Sequence, residues 1–166
     1  VDLAKANFPE AEMFEGDIWE TGDQIIKHAK QFIRSQTDAA ELFTVTCTAP
    51  CQGMSKSGQG TLLKNIRAGK RPQLDPRNRL ILPGLQVIKQ LRPRFVVFEN
   101  VSEMRSTMIE DDAGNVRLIL DIVKETLGPE YVGQAYDVEM ADYGIPQRRR
   151  RLITVFTRDP SASALY

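Results

Sequence analysis

The stretch RFVVFENV, residues 94–101, is the clearest strand signal in the chain. Four apolar, β-favouring side chains follow one another, and a carboxylate and an amide come where the run ends. Further apolar runs of strand length occur at residues 11–15, 42–47, 131–138 and 151–157. Helix-period stretches separate most of these runs. This alternation predicts an α/β domain with a mainly parallel sheet covered by helices.

Two groups of apolar side chains are each spaced as one face of a helix. They are Ile81, Leu85 and Ile88 in the first helix, and Val116, Ile119, Ile122 and Val123 in the second. Asp112 or Asn115 is the expected cap of the second helix, which should end at Gly128. The last two strands are joined by a loop without a helix, so an antiparallel hairpin is predicted at that end of the sheet.

Composition favours a single compact domain. The 166 residues are 42% hydrophobic, enough for one core of ordinary size. Two cysteines and one histidine exclude a disulfide scaffold and argue against a zinc site, which suggests a reducing compartment. No apolar run approaches the roughly 20 residues that a membrane span requires, so a soluble intracellular protein is expected.

Charge is balanced overall but uneven locally. Lys+Arg and Asp+Glu both number 22, whereas residues 64–94 hold nine basic side chains against Asp75 alone. Either that segment faces an anion, or it is an ordinary solvated helix and loop. The chain begins with Val in an amphipathic stretch, and residues 158–166 look like a linker or a cut end. An excised piece of a longer protein is therefore expected.

Two side chains at predicted strand ends could carry chemistry. Cys51, in the loop CTAPCQGMS after the strand at 42–47, is either a thiolate nucleophile or a buried small apolar residue. Glu99 lies at the tip of an apolar strand, where partial desolvation can keep a carboxyl protonated as a donor. The alternative is that Glu99 and Asn100 only cap a following helix.

A third candidate is the run of four arginines at residues 148–151, which leads into the last predicted strand. In a strand, Arg149 and Arg151 would point to one face and Arg148 and Arg150 to the other. One pair could then reach a site while the other meets phosphate or solvent. A basic surface turn is the alternative.

Together these segments resemble motifs of the cytosine-5 DNA methyltransferases. APCQGMS at 49–55 is similar to their catalytic loop, FENV at 98–101 to their Glu-Asn-Val motif, and YGIPQRRRRL at 143–152 to their Gln-x-Arg-x-Arg motif. EGDIW at 15–19 is similar to their adenine-contacting segment, and DPRNRL at 75–80 to a further motif. The resemblance covers nearly the whole chain and implies a partial, Rossmann-like fold of the S-adenosylmethionine-dependent methyltransferases.

The resemblance implies methyl transfer from S-adenosylmethionine to carbon-5 of a cytosine flipped out of duplex DNA. It assigns Cys51 as the nucleophile at carbon-6 and Glu99 as the group that binds or protonates ring nitrogen-3. Arg151 would contact the ring oxygen, and Arg149 would help place the base and the loop. The implied cofactor contacts are Asp17, Ile18, Pro50 and Leu80, and the residues implied to touch DNA or hold the loops are Gln52, Ser55, Ser57, Asn100 and Gln147. No metal is implied.

Parts of the family pattern are missing. The Gly-rich cofactor turn is not found before Val1, the target-recognition domain is not found after the last strand, and Ala49 stands where Phe or Pro is common. Residues 1–157 are therefore expected to be a partial catalytic domain that works with the remainder of the enzyme. A tRNA cytosine-5 methyltransferase, or a non-catalytic nucleic-acid-binding half of a split enzyme, stays open as an alternative. The expected location is the bacterial cytoplasm with the nucleoid, or a nucleus, and a restriction-modification and an epigenetic role are both open.

Overall fold

The computed structural model describes residues 2–36, 40–50, 54 and 74–163. The helices are α1 (Asp2–Asn7), α2 (Ile18–Gln36), α3 (Ile81–Leu91), α4 (Ile119–Leu127) and α5 (Pro160–Ser163). The strands are β1 (Thr44–Cys47), β2 (Phe95–Asn100), β3 (Met108–Glu110), β4 (Val116–Leu118), β5 (Val132–Glu139) and β6 (Arg150–Thr157). Short 3-10 helices cover Pro76–Leu80, Ser102–Ser106 and Met140–Tyr143. None of the described helices is both long and apolar enough to cross a membrane.

Four strands form one mixed sheet in the order β1, β2, β6, β5, and β3 pairs with β4 in a separate hairpin. β1 and β2 are parallel, while β6 is antiparallel to both β2 and β5. Three strands therefore share one direction, and the predicted antiparallel pairing of the last two strands is confirmed. Because β6 is reversed, it begins where the other three strands end. We call this end, marked by Cys47, Asn100 and Glu139, the carboxyl end of the sheet.

The hydrophobic core lies on one face of the sheet. Val96 and Phe98 of β2 are buried, and the ring of Phe98 meets that of Phe156 edge-on with centroids 6.3 Å apart. The predicted apolar stripe of α3 packs into the same core, and each of its three members is 1% exposed: Ile81, Leu85 and Ile88. Since side chains alternate along a strand, Glu99 projects from the opposite face to Phe98.

The predicted strand at residues 11–15 is wrong, because these residues are irregular. They pair with no strand in the described part of the chain, and an extended segment without a neighbouring ladder gains little stability. Phe14 instead packs edge-on against His28 of α2, with ring centroids 5.4 Å apart. The apolar side chains reflect contact with a helix rather than with a sheet.

The second predicted helix begins later than its apolar spacing suggested. Val116 belongs to β4 and is 37% exposed, whereas α4 begins at Ile119 after Leu118. Pairing between β3 and β4 holds the backbone of Val116 in an extended form. The predicted end is confirmed, since Gly128 has a φ of +82° and its N–H donates to the carbonyl of Lys124.

Neither predicted cap of this helix acts as one, since no side chain hydrogen-bonds its first turn. The carboxylate of Asp111 instead accepts from the N–H groups of Ala113 and Asn115, at 3.0 and 2.8 Å. These bonds close the turn between β3 and β4 and lower the pKa of Asp111. Asp112 and Asn115 therefore belong to a hairpin turn rather than to a helix start.

At the other end of the sheet, Glu41 binds two arginines. One of its oxygens accepts from Arg94, and the other accepts from Nη2 of Arg158 at 2.6 Å. Nη1 of Arg94 also lies 3.6 Å from Oδ2 of Asp159. The hydrogen bonds from Arg94 and Arg158 hold the pKa of Glu41 below its usual value. Residues 158 and 159, expected in a linker, are thus tied to the segments that precede β1 and β2.

Candidate active site

Glu99 and Arg151 form an ion pair at the carboxyl end of the sheet. Glu99 lies opposite Ile153 in the pairing of β2 with β6, so Arg151 is its diagonal neighbour on the same face. Nε of Arg151 lies 2.8 Å from Oε1 of Glu99. The arginine side chain is 13% exposed and the glutamate side chain 37%. Two residues that the sequence placed in one site are therefore in contact, and the charge-assisted bond fixes the direction of both.

Asn100 projects from the other face of β2 and is 4% exposed. Its Nδ2 donates to the backbone carbonyl of Ala49 at 2.9 Å, and its Oδ1 accepts from the N–H of Val101 at 2.9 Å. Both ends of the amide are used, as expected for a buried polar side chain. Asn100 therefore ties the end of β2 to the segment that follows β1, immediately before Pro50.

Several predicted site residues lie outside the described residues: Cys51, Gln52, Ser55 and Ser57. Residues on both sides of Cys51 are described. Ala49 is held by Asn100, and Met54 is 1% exposed and belongs to the hydrophobic core. Sequence reasoning missed Met54 as an anchor, although a lone large apolar side chain in a polar, Gly-rich loop is a usable signal.

A cavity of about 680 Å³ opens beside β1, and all four predicted cofactor contacts line it: Asp17, Ile18, Pro50 and Leu80. Its other walls are largely apolar and come from α2, β1 and α3, including Ile25, Val45 and Val87. A volume of this size suits a nucleoside-sized ligand, and small-molecule sites are commonly apolar with a few polar groups. Asp17 is the acidic side chain of the lining.

Asp17 also starts helix α2. Its Oδ1 accepts from the N–H of Trp19 at 3.0 Å, in the manner of an N-cap. Its second oxygen, Oδ2, accepts no hydrogen bond from a described residue. The carboxylate therefore has one oxygen fixed by the helix start and one available to a donor in the cavity.

Cys47 lines the same cavity, and its role there is structural. Burial raises the pKa of its thiol, so the reactive thiolate form is disfavoured. A Cβ at Gly84 of α3 would come within 3.0 Å of the Cys47 sulfur. The glycine therefore permits the close approach of α3 to β1 that forms this wall of the cavity.

The remaining predicted site residues, Gln147 and Arg149, lie in the loop before β6. Gln147 is exposed, and its N–H donates to the carbonyl of Ile145 at 2.7 Å. Arg149 is exposed and lies just before β6, so the predicted alternation of four arginines applies only from Arg150 onwards. Arg150 and Arg151 do project to opposite faces, because both are within the strand.

Glu139 is the last residue of β5 and lies at the carboxyl end of the sheet. Sequence reasoning missed it. Its Oε1 accepts from the N–H of Arg149 at 2.5 Å, and its Oε2 lies 3.6 Å from Nε of Arg150. An acidic residue at the end of one hairpin strand, facing a basic run at the start of the next, is the signal that could have identified it.

The arginines of residues 74–94 are paired with carboxylates. The pairs are Arg77 with Asp75, Arg79 with Asp112, Arg92 with Glu130, and Arg94 with Glu41. An anion-facing role is therefore not supported for these four arginines, and Lys89 is the fifth basic side chain of this part. Residues 64–73, which carry the other four basic side chains of that segment, lie outside the described residues.

The chain is similar to curated methyltransferases over most of its length. It is 32% identical to the type II methyltransferase M1.HgaI of Avibacterium volantium, across 92% of this chain and 39% of that protein. It is 27% identical to the type II methyltransferase M1.HphI of Haemophilus parahaemolyticus, across 95% of this chain and 37% of that protein. The chain therefore spans about two fifths of the length of these relatives.

A solved structure shows the same fold. The Entamoeba histolytica methyltransferase EhMeth superposes with a TM-score of 0.61 at 19% identity, covering 96% of this chain and 42% of that one. This likeness confirms the predicted methyltransferase fold. Residues 5–164 match the sequence profile of the C-5 cytosine-specific DNA methylases, and the chain belongs to that family.

Proposed function

We propose that this chain is the central part of a DNA cytosine-5 methyltransferase and that residues 1–157 form part of its catalytic domain. The observation that carries the proposal is the contact of Glu99 with Arg151 at the carboxyl end of the sheet. The segment that leads to Cys51 ends at the same place, held by Asn100. Membership of the family and similarity to type II methyltransferases support this function.

The cavity beside β1 fits S-adenosylmethionine. Ile18 and Leu80 would pack against the adenine ring, and the unengaged Oδ2 of Asp17 would accept from its exocyclic amine. Pro50 would contact the cofactor from the segment after β1. When bound, S-adenosylmethionine supplies an electrophilic methyl group.

Cys51 would begin the reaction as a thiolate that adds to carbon-6 of cytosine. A sulfur–carbon bond forms, the electron pair of the ring double bond moves to carbon-5, and Glu99 donates a proton to ring nitrogen-3. Carbon-5, now electron-rich, would accept the methyl group as the bond from that group to the cofactor sulfur breaks and the sulfur becomes a neutral thioether. A solvent water would take the carbon-5 proton, the electron pair of that bond would re-form the ring double bond as the thiolate leaves carbon-6, and the nitrogen-3 proton would return to Glu99.

Arg151 would hold Glu99 and the base together. Its Nε binds Glu99 and its Nη1 donates to the carbonyl of Arg150, whereas its Nη2 binds no described residue. Nη2 is therefore the group that would contact oxygen-2 of cytosine. Arg149, which is exposed just before β6, would help place the base and the loop.

Double-stranded DNA is the proposed substrate, with Ser55 and Ser57 at the phosphates and Gln52, Asn100 and Gln147 holding the loops around the flipped base. The remainder of the enzyme would complete the cofactor site and choose the DNA sequence. The type II methyltransferase relatives favour a restriction-modification role, in the cytoplasm of a bacterium beside its nucleoid.

The test is methyl transfer and covalent trapping. A polypeptide extended at both ends to the length of the relatives is incubated with labelled S-adenosylmethionine and either duplex DNA or tRNA, beside the 166-residue chain. Label on cytosine in DNA, lost in Cys51→Ala, is expected. Duplex DNA that carries 5-fluorocytosine should trap the protein covalently, because the fluorine cannot leave as a proton does.

Glu125→Ala is the matched control, since Glu125 is a surface carboxylate of α4 paired with Arg117, away from the site. It should keep full transfer and trapping. If only tRNA is labelled, the substrate is tRNA rather than DNA. Binding of duplex DNA without transfer or trapping would support a non-catalytic module instead.

A further inference from the structure

Glu139 closes the base of the loop that carries residues 140–149. It is the last residue of β5 and lies opposite Arg150, the first residue of β6. One carboxylate oxygen accepts from the N–H of Arg149 at 2.5 Å, and the other lies 3.6 Å from Nε of Arg150. The N–H of Met140 also donates to the carbonyl of Arg149 at 3.1 Å. These contacts lie where β6 begins.

A continuous series of contacts leads from Glu139 to Glu99. Glu139 holds the N–H of Arg149 and the side chain of Arg150, and the carbonyl of Arg150 accepts from Nη1 of Arg151 at 2.7 Å. Nε of Arg151 then lies 2.8 Å from Glu99. The contacts in this series are hydrogen bonds and ion pairs, and the covalent structure of residues 149–151 joins one contact to the next.

The carboxylates of Glu139 and Glu99 lie on opposite faces of the sheet, and each pairs with one arginine. Glu139 is paired with Arg150, and Glu99 is the diagonal neighbour of Arg151. Since side chains alternate along a strand, this division holds only while β6 begins at Arg150. If the strand started one residue later or frayed, Arg150 and Arg151 could both turn toward the same carboxylate.

We propose that Glu139 is a positioning residue that fixes the start of β6 and thereby aims Arg151 at Glu99. The carboxylate acts first as a hydrogen-bond acceptor for the Arg149 N–H and second as the counter-charge that keeps Arg150 on its own face. The consequence for catalysis rests on the proposed methyltransferase function. The effect of Glu139 on the contact of Arg151 with Glu99 does not depend on that function, and it can be measured on the 166-residue chain.

The geometric test follows the Nε–Hε signal of Arg151 by nuclear magnetic resonance. Glu99→Gln provides the reference for a broken ion pair with Arg151. Glu139→Met keeps the side-chain length but has no acceptor, and its Arg151 signal should move toward the Glu99→Gln position. Glu139→Gln keeps an amide oxygen that can accept from the Arg149 N–H, and most of the wild-type signal position should return. Glu125→Ala should leave the signal unmoved.

An Arg151 signal that stays at its wild-type position in Glu139→Met would overturn the proposal. Equal displacement in Glu139→Met and Glu139→Gln would overturn the assignment of the hydrogen-bond acceptor as the first role, because both variants also lack the counter-charge. If Glu139→Met does not fold, Glu139→Asp replaces it. Its shorter side chain withdraws the oxygen from the Arg149 N–H while keeping the charge, and the same displacement is expected.

The catalytic test uses the extended protein. Turnover should fall by about tenfold in Glu139→Met, since misplacement of a positioning group by a fraction of a bond length has effects of this order. Glu139→Gln should recover most of the loss, and KM for S-adenosylmethionine should be unchanged because the cavity beside β1 is untouched. An equal loss of turnover in both variants contradicts the proposal. Absence of transfer in the wild type would defeat the proposed function and leave the resonance result standing.

Discussion

Nδ2 of Asn100 donates to the backbone carbonyl of Ala49 at 2.9 Å, so the end of one strand holds the segment that leads to Cys51. Asn100→Asp would replace this donor with an acceptor at a position that is 4% exposed. We expect the free energy of unfolding to fall by about 1 to 3 kcal/mol, the cost of leaving a buried polar group unsatisfied. Urea unfolding measures the change.

Asn7→Asp is the control for Asn100→Asp, since Asn7 is exposed at the end of α1. The same chemical change should there be close to neutral. Equal effects at the two positions would show that the bond to Ala49 contributes nothing.

Met54→Ala should destabilise the protein by about 2 to 4 kcal/mol, because the side chain is 1% exposed in the core and its removal leaves a cavity. Met54→Leu nearly conserves volume and should cost less than about 1.5 kcal/mol. Chemical unfolding of both variants tests the difference. If Met54→Ala unfolds like the wild type, Met54 does not anchor the segment after Cys51.

Thr154→Val should leave stability unchanged or raise it. The hydroxyl of Thr154 is buried, at 1% exposure, and finds no hydrogen-bond partner among the described residues. Replacing it with a methyl group removes the cost of an unpaired polar atom. Thermal unfolding measures the effect, and a clear loss of stability would reveal a partner for this hydroxyl.

Thr157→Val is the matched comparison on the same strand. Thr157 is fully buried, its hydroxyl donates to the carbonyl of Arg94 at 3.1 Å, and it accepts from the N–H of Asp159 at 3.0 Å. Removing the hydroxyl leaves the N–H of Asp159 without this acceptor, while the carbonyl of Arg94 still accepts from the N–H of Arg158. A loss of about 1 to 3 kcal/mol is therefore expected. The change in the free energy of unfolding should therefore differ between the two valine variants, either in sign or clearly in size.

Glu41 should make stability depend on pH in the acid range. Arg94 and Arg158 hold its pKa below the ordinary value of 4.5, so its ion pairs stabilise the fold above that pH. The contribution is lost as pH falls through the lowered pKa. Glu41→Gln should be less stable than the wild type at neutral pH, and the difference should shrink on acidification. Glu12→Gln, at an exposed position, is the control.

The local pattern of apolar residues predicted the strands and helices whose side chains are buried in the core. The apolar run of β2 and the stripe of α3 are strong because the core requires those side chains on one face. The strand predicted at residues 11–15 failed for the converse reason, since an extended segment also needs a neighbour. A short apolar run in the sequence does not indicate whether a neighbouring strand is present to pair with it.

Proximity was predictable where residues follow or enter predicted strands, as for Glu99 and Arg151, which the structure brings into contact. Residues that hold other segments were harder to find, because their contacts depend on partners that are distant in the sequence. Glu139 acts across a loop of ten residues, and the carbonyl that Asn100 holds belongs to Ala49, 51 positions away. A sequence lists such residues without showing which ones meet.

The pairing pattern of the sheet also has a consequence for how the protein is made. Glu139 and Arg150 are only 11 positions apart, whereas Cys47 pairs with Phe98 across 51 positions. Closing the longer loop costs more entropy, and non-local parallel pairing forms slowly. We expect the hairpin of β5 and β6 to form early and β1 to join late. A newly synthesised chain would then assemble its arginine-bearing half before the segment that leads to Cys51 is held in place.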